Sequence, residues 1–479
     1  MDLTPKYIEE NLEKLGVKAA RDILKQWIIN SDDKDLRLKA LNLYSVVDDQ
    51  KQFKFLEQLF LSDENVNVRA ISGNILRDKY IHNKRFVSLL EFTLIDGNDI
   101  DQKLFAVEQL NLMDTKNSRK IVKDFLKRTL KLSTMSKFGG IPGMIFSFEL
   151  NLSIPPKILE ICDNLILYLY YTEKCGYSAT LREGFITLLN CEGSELQSIA
   201  EIKGLDRLFN LEHLNLQRNN IQKICGLDHL KRLLTLNLSQ NKINLINTLD
   251  GLINLKELNL SSNKIKKIEN VNNVKLKKLS LDKNSITEIE NLDKLVNLEH
   301  LNLGNNNISK LKNLNRLVKL KSLYLSYNSI ENISGLETLE NLTILYLNGN
   351  KITNIKGLDN LLSLKVLNLS NNLIKKIENL ERLKKLIKLE LSDNAIESLS
   401  GLDTLQNLQE LFVDKNHVKN MEKIGNLKSL IILFLENNDI EVFKMSYLES
   451  LTNLNFIFLN QNPLNPESWD LYQKRTRYP

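Results

Sequence analysis

The sequence predicts an α/β protein made of two consecutive solenoids, an all-α one followed by one built on a parallel β-sheet. Two observations predict this fold class. A leucine pattern that ends in asparagine recurs twelve times between residues 211 and 462. Before it, residues 1 to about 132 carry amphipathic helical stretches that resemble one another. Repetition of this kind is typical of proteins that stack one small unit many times.

The recurring unit of the second part reads LxxLxLxxNxI, as in LEHLNLQRNNI (211–221) and LKELNLSSNKI (255–265). Nine of the eleven intervals between its asparagines are 22 residues, one is 21 and the last is 24. The asparagines are Asn219, Asn241, Asn263, Asn284, Asn306, Asn328, Asn350, Asn372, Asn394, Asn416, Asn438 and Asn462. Because the period is so regular, each unit should form one coil of a solenoid with one strand per coil.

Each position of the unit has a structural role. In LxL the two leucines point into the coil and the residue between them points outward, since side chains alternate along a strand. The asparagine follows where the chain turns. Its amide can form hydrogen bonds with backbone groups that a tight coil would otherwise leave without a partner. The remainder, IxxIxxLxxLxxL, has a spacing of three that suits short 3₁₀ turns better than α-helix. Stacked coils should therefore form a parallel sheet on a concave side and a turn-rich convex side.

This 22-residue unit resembles the intracellular leucine-rich repeats typified by the nuclear regulatory subunit of protein phosphatase-1. The resemblance covers residues 186–463, as one degenerate and twelve regular units, and a C-terminal cap at 464–479. In the degenerate unit Ser194 stands in the asparagine place, as expected of a capping repeat. The resemblance implies a protein-binding scaffold, and it names no partner.

The first part of the chain is predicted to contain paired helices. The stretches 35–47, 65–80 and 99–113 each open with acidic or asparagine residues, and a second amphipathic helix follows each. The opening Asp and Asn residues should cap the first helices, and Ala40, Ala70 and Ala106 should let paired helices approach closely. The pattern resembles a HEAT-type array over residues 1–132, with 7–29 as its first pair. The alternative is an irregular helical domain.

Residues 133–185 are interpreted as a junction and an N-terminal cap for the repeats. Residues 133–144 include a glycine-rich run that should break a helix, and 146–152 alternate like a strand. The pair Pro155-Pro156 should then restart a helix. The most apolar run, Ile158 to Tyr171, has only fourteen residues, which is too short to span a bilayer and favours a buried helix.

Outward positions of the later strands carry aromatic and acidic residues, whereas those of the first strands are mostly asparagine. Dense exposed aromatics mark an interaction site, because aromatic anchors dominate interface energy. Neighbouring strands lie about 4.8 Å apart, so Phe412, Phe434 and Phe458 should form one ladder. The predicted partner-binding residues are Tyr324, Tyr327, Ile344, Tyr346, Val366, Glu390, Phe412, Asp414, Ile432, Phe434, Glu436, Phe456 and Phe458. Their chemistry favours a protein partner with apolar and basic groups. The alternative is that the aromatics only stabilise one another or lie under the chain's own C-terminal tail.

Composition and motifs disfavour most other functions. The net charge of +6 is small beside 65 basic and 59 acidic residues, which does not favour nucleic-acid binding. P-loop, HExxH and GxGxxG motifs are missing, and His213 and His300 are four repeats apart, too far to share a metal. We therefore expect no catalysis, no cofactor, no small-molecule substrate and no membrane span. The cysteines form no CxxC pair and the N-terminus has no signal-peptide core, which favours the cytoplasm, with the nucleus left open.

Two other functions stay open at this point. By resemblance, the chain could be a regulatory subunit of an enzyme such as a phosphatase or a small GTPase. Lysine-rich edges such as Lys375-Lys376 could instead serve a nucleic-acid or ribonucleoprotein adaptor, which would bind polyanions in a steeply salt-dependent way. The leading prediction is a non-enzymatic scaffold that captures a protein partner on the concave face of the repeats.

Overall fold

A computed structural model of the chain describes residues 3–47, 52–132, 155–247 and 249–477. The chain divides into two compact units, Met1–Ile186 and Thr187–Pro479. Among the described residues, no helix is long and apolar enough to cross a membrane.

The described residues of the first unit up to 132 form helices joined by short turns, as predicted. Asp33, Asn65 and Asp99 cap α4, α6 and α8 through their side chains, because the first amides of a helix have no partner within it. Along the chain α3 packs on α4, α5 on α6 and α7 on α8. The helices are α1 Pro5–Glu10, α2 Leu12–Leu15, α3 Val17–Asn30, α4 Lys34–Val46, α5 Phe53–Ser62, α6 Val66–Tyr80, α7 Lys84–Asp96, α8 Ile100–Met113, α9 Lys116–Leu132 and α10 Pro156–Leu169. That the first nine form a HEAT-type array stays a prediction.

One detail of the predicted helix pairs is wrong. Counted from the capping residues, Ala40, Ser72 and Ala106 take the same place in α4, α6 and α8, and all three are fully buried. Ala70, which the sequence analysis predicts to let paired helices approach closely, is exposed. The error arises because the small core-facing residue of α6 is a serine, and the nearest alanine lies two positions before it.

In the junction, the described residues begin at Pro155. The helix α10 starts at Pro156, as predicted. Ile158, Ile161 and Leu165 are buried, in agreement with a buried helix. A π-helix at Tyr170–Lys174 and a hairpin of β1 (Ser178–Arg182) and β2 (Phe185–Asn190) follow. The predicted glycine-rich break and the predicted strand at 146–152 lie outside the described residues.

The second unit is a parallel solenoid, as predicted. Twelve three-residue strands follow β2 in chain order, and each pairs in parallel with the next so that their central residues align. The central residue of each, such as Leu214 or Leu345, is buried, because it faces the core. The strands are β3 His213–Asn215, β4 Thr235–Asn237, β5 Glu257–Asn259, β6 Lys278–Ser280, β7 His300–Asn302, β8 Ser322–Tyr324, β9 Ile344–Tyr346, β10 Val366–Asn368, β11 Lys388–Glu390, β12 Glu410–Phe412, β13 Ile432–Phe434 and β14 Phe456–Phe458.

The recurring asparagine joins each coil to the one before it. Asn306 Nδ2 donates to the carbonyl oxygens of Leu281 in the previous coil and Leu303 in its own, each at 3.0 Å. Its Oδ1 accepts the backbone N–H of Ile286 at 2.9 Å. The other eleven asparagines repeat this arrangement, as Asn219 and Asn462 at the two ends illustrate. We call this series the asparagine ladder.

The residue before each ladder asparagine has a left-handed backbone. Arg218, Lys283, Tyr327 and Lys415 stand there with φ of 54–57°, a region that side chains other than glycine rarely adopt. Of the twelve residues in this position, only Gly349 is a glycine, which adopts a left-handed backbone without strain. The left-handed turn directs the next side chain, the ladder asparagine, into the core.

The return path consists of short turns, as its spacing of three predicts. Leu230 N–H donates to Leu227 and Leu233 N–H to Leu230, at 2.9 and 3.1 Å, in the i→i+3 pattern of 3₁₀ structure. The last coil is closed by α11 (Pro466–Arg477). In this helix Ser468 Oγ accepts the backbone N–H of Phe443 at 2.9 Å, and Tyr472 is buried against the core.

Candidate functional site

The two residues that flank the central leucine of each strand point away from the core. They form two rows on the side that the sequence predicts to be concave, and we call this surface the strand face. Strand register aligns Ile344 with Val366 in one row and Tyr324 with Tyr346 in the other. Of the thirteen predicted binding residues, Tyr327 and Phe456 are exposed, at 55% and 54%, and the other eleven are half-buried.

Three phenylalanines stack on the last three strands. The ring centroids of Phe412 and Phe434 are 4.9 Å apart, and those of Phe434 and Phe458 are 4.2 Å apart, with 15° between the planes in each pair. Parallel register places these residues at the same position of neighbouring strands, so the rings must stack. We call them the phenylalanine ladder. Ile432 and the exposed Phe456 align in the row beside it and widen the apolar surface.

A second aromatic cluster lies three strands away, on β8 and β9. Tyr324 and Tyr346 stack with centroids 5.3 Å apart and planes at 28°. Tyr327 follows β8 and lies over Gly349, where an added Cβ would come within 2.6 Å of the tyrosine ring. The two aromatic clusters are separated by β10 and β11, and they are not one continuous surface.

The strands between the clusters carry a charged group centred on Lys388. Its Nζ lies 3.0 Å from Glu390 and 3.3 Å from Glu410, and 4.8 Å from the ring centroid of Phe412. Burial lowers the pKa of Lys388, but the hydrogen bonds and charges of both carboxylates outweigh it and raise this pKa above its ordinary value. Asn368 donates to the second oxygen of Glu390 at 2.6 Å. The charges of this group are largely satisfied within the protein.

Acidic residues edge the phenylalanine ladder where the strands end. Asp414 accepts a hydrogen bond from Ser392, and Glu436 accepts one from Asn460 at 2.9 Å. Both of these hydrogen-bond partners are neutral, so neither supplies a positive charge to its carboxylate. The basic side chain nearest in sequence is Lys415, which is exposed in the left-handed position after Asp414.

The outward asparagines on the first strands of the strand face have a structural role that the sequence analysis did not predict. The Oδ1 atoms of Asn215, Asn237, Asn259 and Asn302 each accept the backbone N–H two residues later, at 3.0–3.1 Å. Asn and Asp favour such local turns, which is the signal that could have revealed it. A phenylalanine in this place offers no acceptor, so the residues of the phenylalanine ladder cannot form this side-chain-to-backbone hydrogen bond.

The C-terminal tail contacts the end of the core. Tyr472 Oη accepts the backbone N–H of Leu459 at 3.2 Å, and Arg475 donates to the carbonyl of Leu454 at 2.8 Å. Trp469 and Phe443 pack around the Tyr472 ring. The helix therefore closes the last coil by pairing its backbone groups.

The described residues contain no group of three or more His, Cys, Asp or Glu side chains that could hold a metal ion. His213 Nδ1 lies 2.8 Å from Thr235 Oγ1. Burial and the charge of Lys278 lower the pKa of His300. His213 and His300 lie on β3 and β7, outside the strands that carry the aromatic clusters.

Comparisons with known proteins agree with the fold. Residues 209–265 match the family described as Leucine rich repeat, and 274–316, 318–360 and 362–404 match the family described as Leucine Rich repeats (2 copies). No curated protein matches the chain.

Solved structures show the same solenoid. An internalin, InlF, from Listeria monocytogenes is similar at 29% identity with a TM-score of 0.55, over 68% of this chain and 88% of that one. A leucine-rich-repeat protein from Leptospira interrogans is similar at 27% identity with a TM-score of 0.50, over 59% of this chain and 80% of that one. The chain therefore contains leucine-rich repeats in a solenoid, a fold that generally serves as a scaffold for protein interactions.

Proposed function

We propose that this protein is a non-enzymatic scaffold that binds a protein partner on the C-terminal half of its strand face. The partner supplies a segment that carries apolar and basic side chains. We also propose the predicted division into a helical array (1–132), a junction (133–185), repeats (186–463) and a cap (464–479).

The phenylalanine ladder is the observation that carries this proposal. Three stacked rings stand where the first five regular coils place asparagine or serine, and the exposed Phe456 lies in the row beside them. The asparagines stabilise the turn that follows the strand, and the phenylalanines cannot. A sequence that served only the fold would therefore keep asparagine here. Large rings on an open surface gain free energy when a partner buries them.

The charge of the partner follows from the carboxylates at the edge of the ladder. Lys388 satisfies Glu390 and Glu410, whereas Asp414 and Glu436 have neutral hydrogen-bond partners. A lysine or arginine of the partner can approach these two carboxylates while its apolar neighbours contact the rings. Such pairs at the rim of an interface steer association and set specificity more than they add affinity.

A peptide-display selection tests this proposal. The full chain would be presented with random peptides, and the selected sequences would be compared with those from Phe412→Glu/Phe434→Glu. We expect wild type to enrich peptides with basic and large apolar residues, and the double variant to lose them. Enrichment of acidic peptides, or the same peptides from both proteins, would contradict it.

Val296→Glu/Val318→Glu is the matched control. These two valines are 43% and 46% exposed in the turns of neighbouring coils, so the control introduces the same two carboxylates on a different surface. We expect this control to select the wild-type peptides. Both variants would first be compared with wild type by circular dichroism and thermal melting, so that loss of binding is not confused with loss of fold.

A further inference from the structure

A cavity of about 250 Å³ lies in the helical unit beside the start of α8. Ile100, Phe125, Ile166 and Leu169 form its apolar wall, and Lys103 lies among them. No sequence motif predicts a site here, because the lining residues come from α8, α9, α10, the π-helix and the segment before α8. The mixture of an apolar wall with a few convergent charged groups is typical of a small-molecule site.

Lys103 is the third member of a series of cations. Arg37, Arg69 and Lys103 each lie four residues after the residue that caps α4, α6 or α8. The first two members show that a cation at this position of the helix binds a carboxylate.

The first two cations each hold a carboxylate from the turn before the next helix of the series, α6 for Arg37 and α8 for Arg69. Arg37 Nη2 lies 2.5 Å from Asp63 Oδ2, with both side chains under 10% exposed. Arg69 Nη2 lies 2.9 Å from Asp99 Oδ2. Ion pairs this close and this sheltered from water are costly to break, because the remaining charge is left without compensation.

Lys103 has no carboxylate within ion-pair distance among the residues that the structure describes. The surfaces beside it come from the end of α10 and the π-helix, through Leu169, Tyr170 and Glu173. Burial lowers the pKa of Lys103, and the more distant charges of Asp96 and Glu173 oppose that shift. A partly buried ammonium without a close anion is unfavourable, and an anionic ligand would relieve it.

We propose that this cavity binds a small monocarboxylate with an apolar body. Its carboxylate takes, beside Lys103, the place that Asp63 and Asp99 take beside the two arginines. Lys174 lines the cavity as a second cation, and Glu173 repels a second negative charge, which favours one carboxylate over two. The volume suits a ligand of roughly ten non-hydrogen atoms, since it falls just below the range of drug-sized pockets.

Calorimetric titration of the full chain with octanoate tests the proposal, with 1-octanol as the uncharged probe. We expect octanoate to bind and octanol to bind at least tenfold more weakly. Lys103→Met, which keeps the apolar stem, should weaken octanoate binding at least tenfold. Lys103→Arg should retain binding, because it restores the cation found at the other two positions.

Lys120→Met is the matched control, since Lys120 is exposed on α9 and lies outside the cavity. It should bind octanoate like wild type. The helical circular dichroism signal would confirm that each variant is folded. The proposal is overturned if octanoate does not bind wild type, if Lys103→Met binds it as tightly, or if octanol binds equally well.

Discussion

The two halves of the strand face use one structural position in opposite ways. In the first half, Asn237 turns its Oδ1 back to the backbone of Ser239 and helps to end its own strand. In the second half, Phe434 occupies the equivalent place and stacks on the rings of its neighbours. The coils beneath are built alike, because Asn241 and Asn438 make the same ladder bonds.

This difference separates what the fold requires from what it tolerates. The ladder asparagine is the same in all twelve coils, since backbone groups depend on it. The outward residue contributes less to the fold, and the sequence can replace it with side chains that serve a partner. A variant series along both halves can therefore assign each residue to folding or to binding.

The largest effect is expected at the asparagine ladder, which both halves share. Asn306→Leu would leave the buried N–H of Ile286 without a partner. It would also remove one of the two side-chain hydrogen bonds that the carbonyls of Leu281 and Leu303 each accept. At about 1–3 kcal/mol for the unpaired amide and about 1 kcal/mol for each lost bond, the free energy of unfolding should fall by about 3 kcal/mol or more. Chemical denaturation followed by circular dichroism would measure this. Asn305→Gly is the control, because Asn305 is exposed and left-handed, and a glycine accepts that backbone easily.

The next effect distinguishes binding from stability in the aromatic half. Phe434→Asn removes the middle ring of the phenylalanine ladder and installs the side chain of the polar half. Lost stacking costs about 0.5–1.5 kcal/mol per pair, partly offset by the new local hydrogen bond. We expect at least a tenfold loss of affinity for a selected peptide, measured by titration, with only a small change in the denaturation midpoint. A loss of stability as large as that of Asn306→Leu would mean that the rings are structural.

The reverse outcome is expected in the polar half. Asn237→Ala deletes the acceptor of the Ser239 N–H and the donor to Gln217. The free energy of unfolding should fall by about 1 kcal/mol, because these groups are only partly buried and water replaces part of the bond. Peptide affinity should stay at the wild-type value. Reduced peptide affinity would extend the binding surface into the first half.

The smallest effect concerns an ion-pair group in the polar half. Glu299 lies 2.6 Å from Lys321 and 2.9 Å from Lys277, and these bonds lower its pKa from 4.5 to about 2. Because folding lowers this pKa, the pairs stabilise the protein above about pH 4.5, and that stabilisation is lost as the pH falls to about 2. Thermal melts should show wild type slightly more stable than Glu299→Gln at pH 7 in low salt, with the difference gone near pH 2. A difference that is constant with pH would contradict this assignment.

Much of the second unit could be predicted from its sequence because each coil repeats the same local chemistry. The spacing of Leu214, Leu216 and Asn219 fixes a strand, its buried side and the turn that follows. The left-handed residue before the asparagine could not be predicted, since Arg218, Lys283 and Tyr327 have no preference for that backbone. Neighbouring coils impose that conformation.

Predictions were weaker where the structure depends on partners far apart in sequence. The hairpin of β1 and β2 turns on Glu183 and Gly184, both with positive φ, and a Glu-Gly pair is a weaker turn signal than Asn-Gly. The ion pairs of Lys388 with Glu390 and Glu410 could not be predicted without the strand register, which aligns Lys388 with Glu410. The cavity beside Lys103 depends on how α10 packs on α8, which no local pattern records.

The asparagine ladder gives the repeats a direction. Each asparagine completes hydrogen bonds of the coil before it, as Asn328 does for Ile308 and Leu303. During synthesis, the newest coil therefore emerges with open backbone groups that only the next 22 residues can pair. The growing array of coils therefore has one unfinished end until α11 closes it with Ser468 and Tyr472. A chain that stopped before α11 would keep an adhesive end, and a chain that includes α11 has that end sealed.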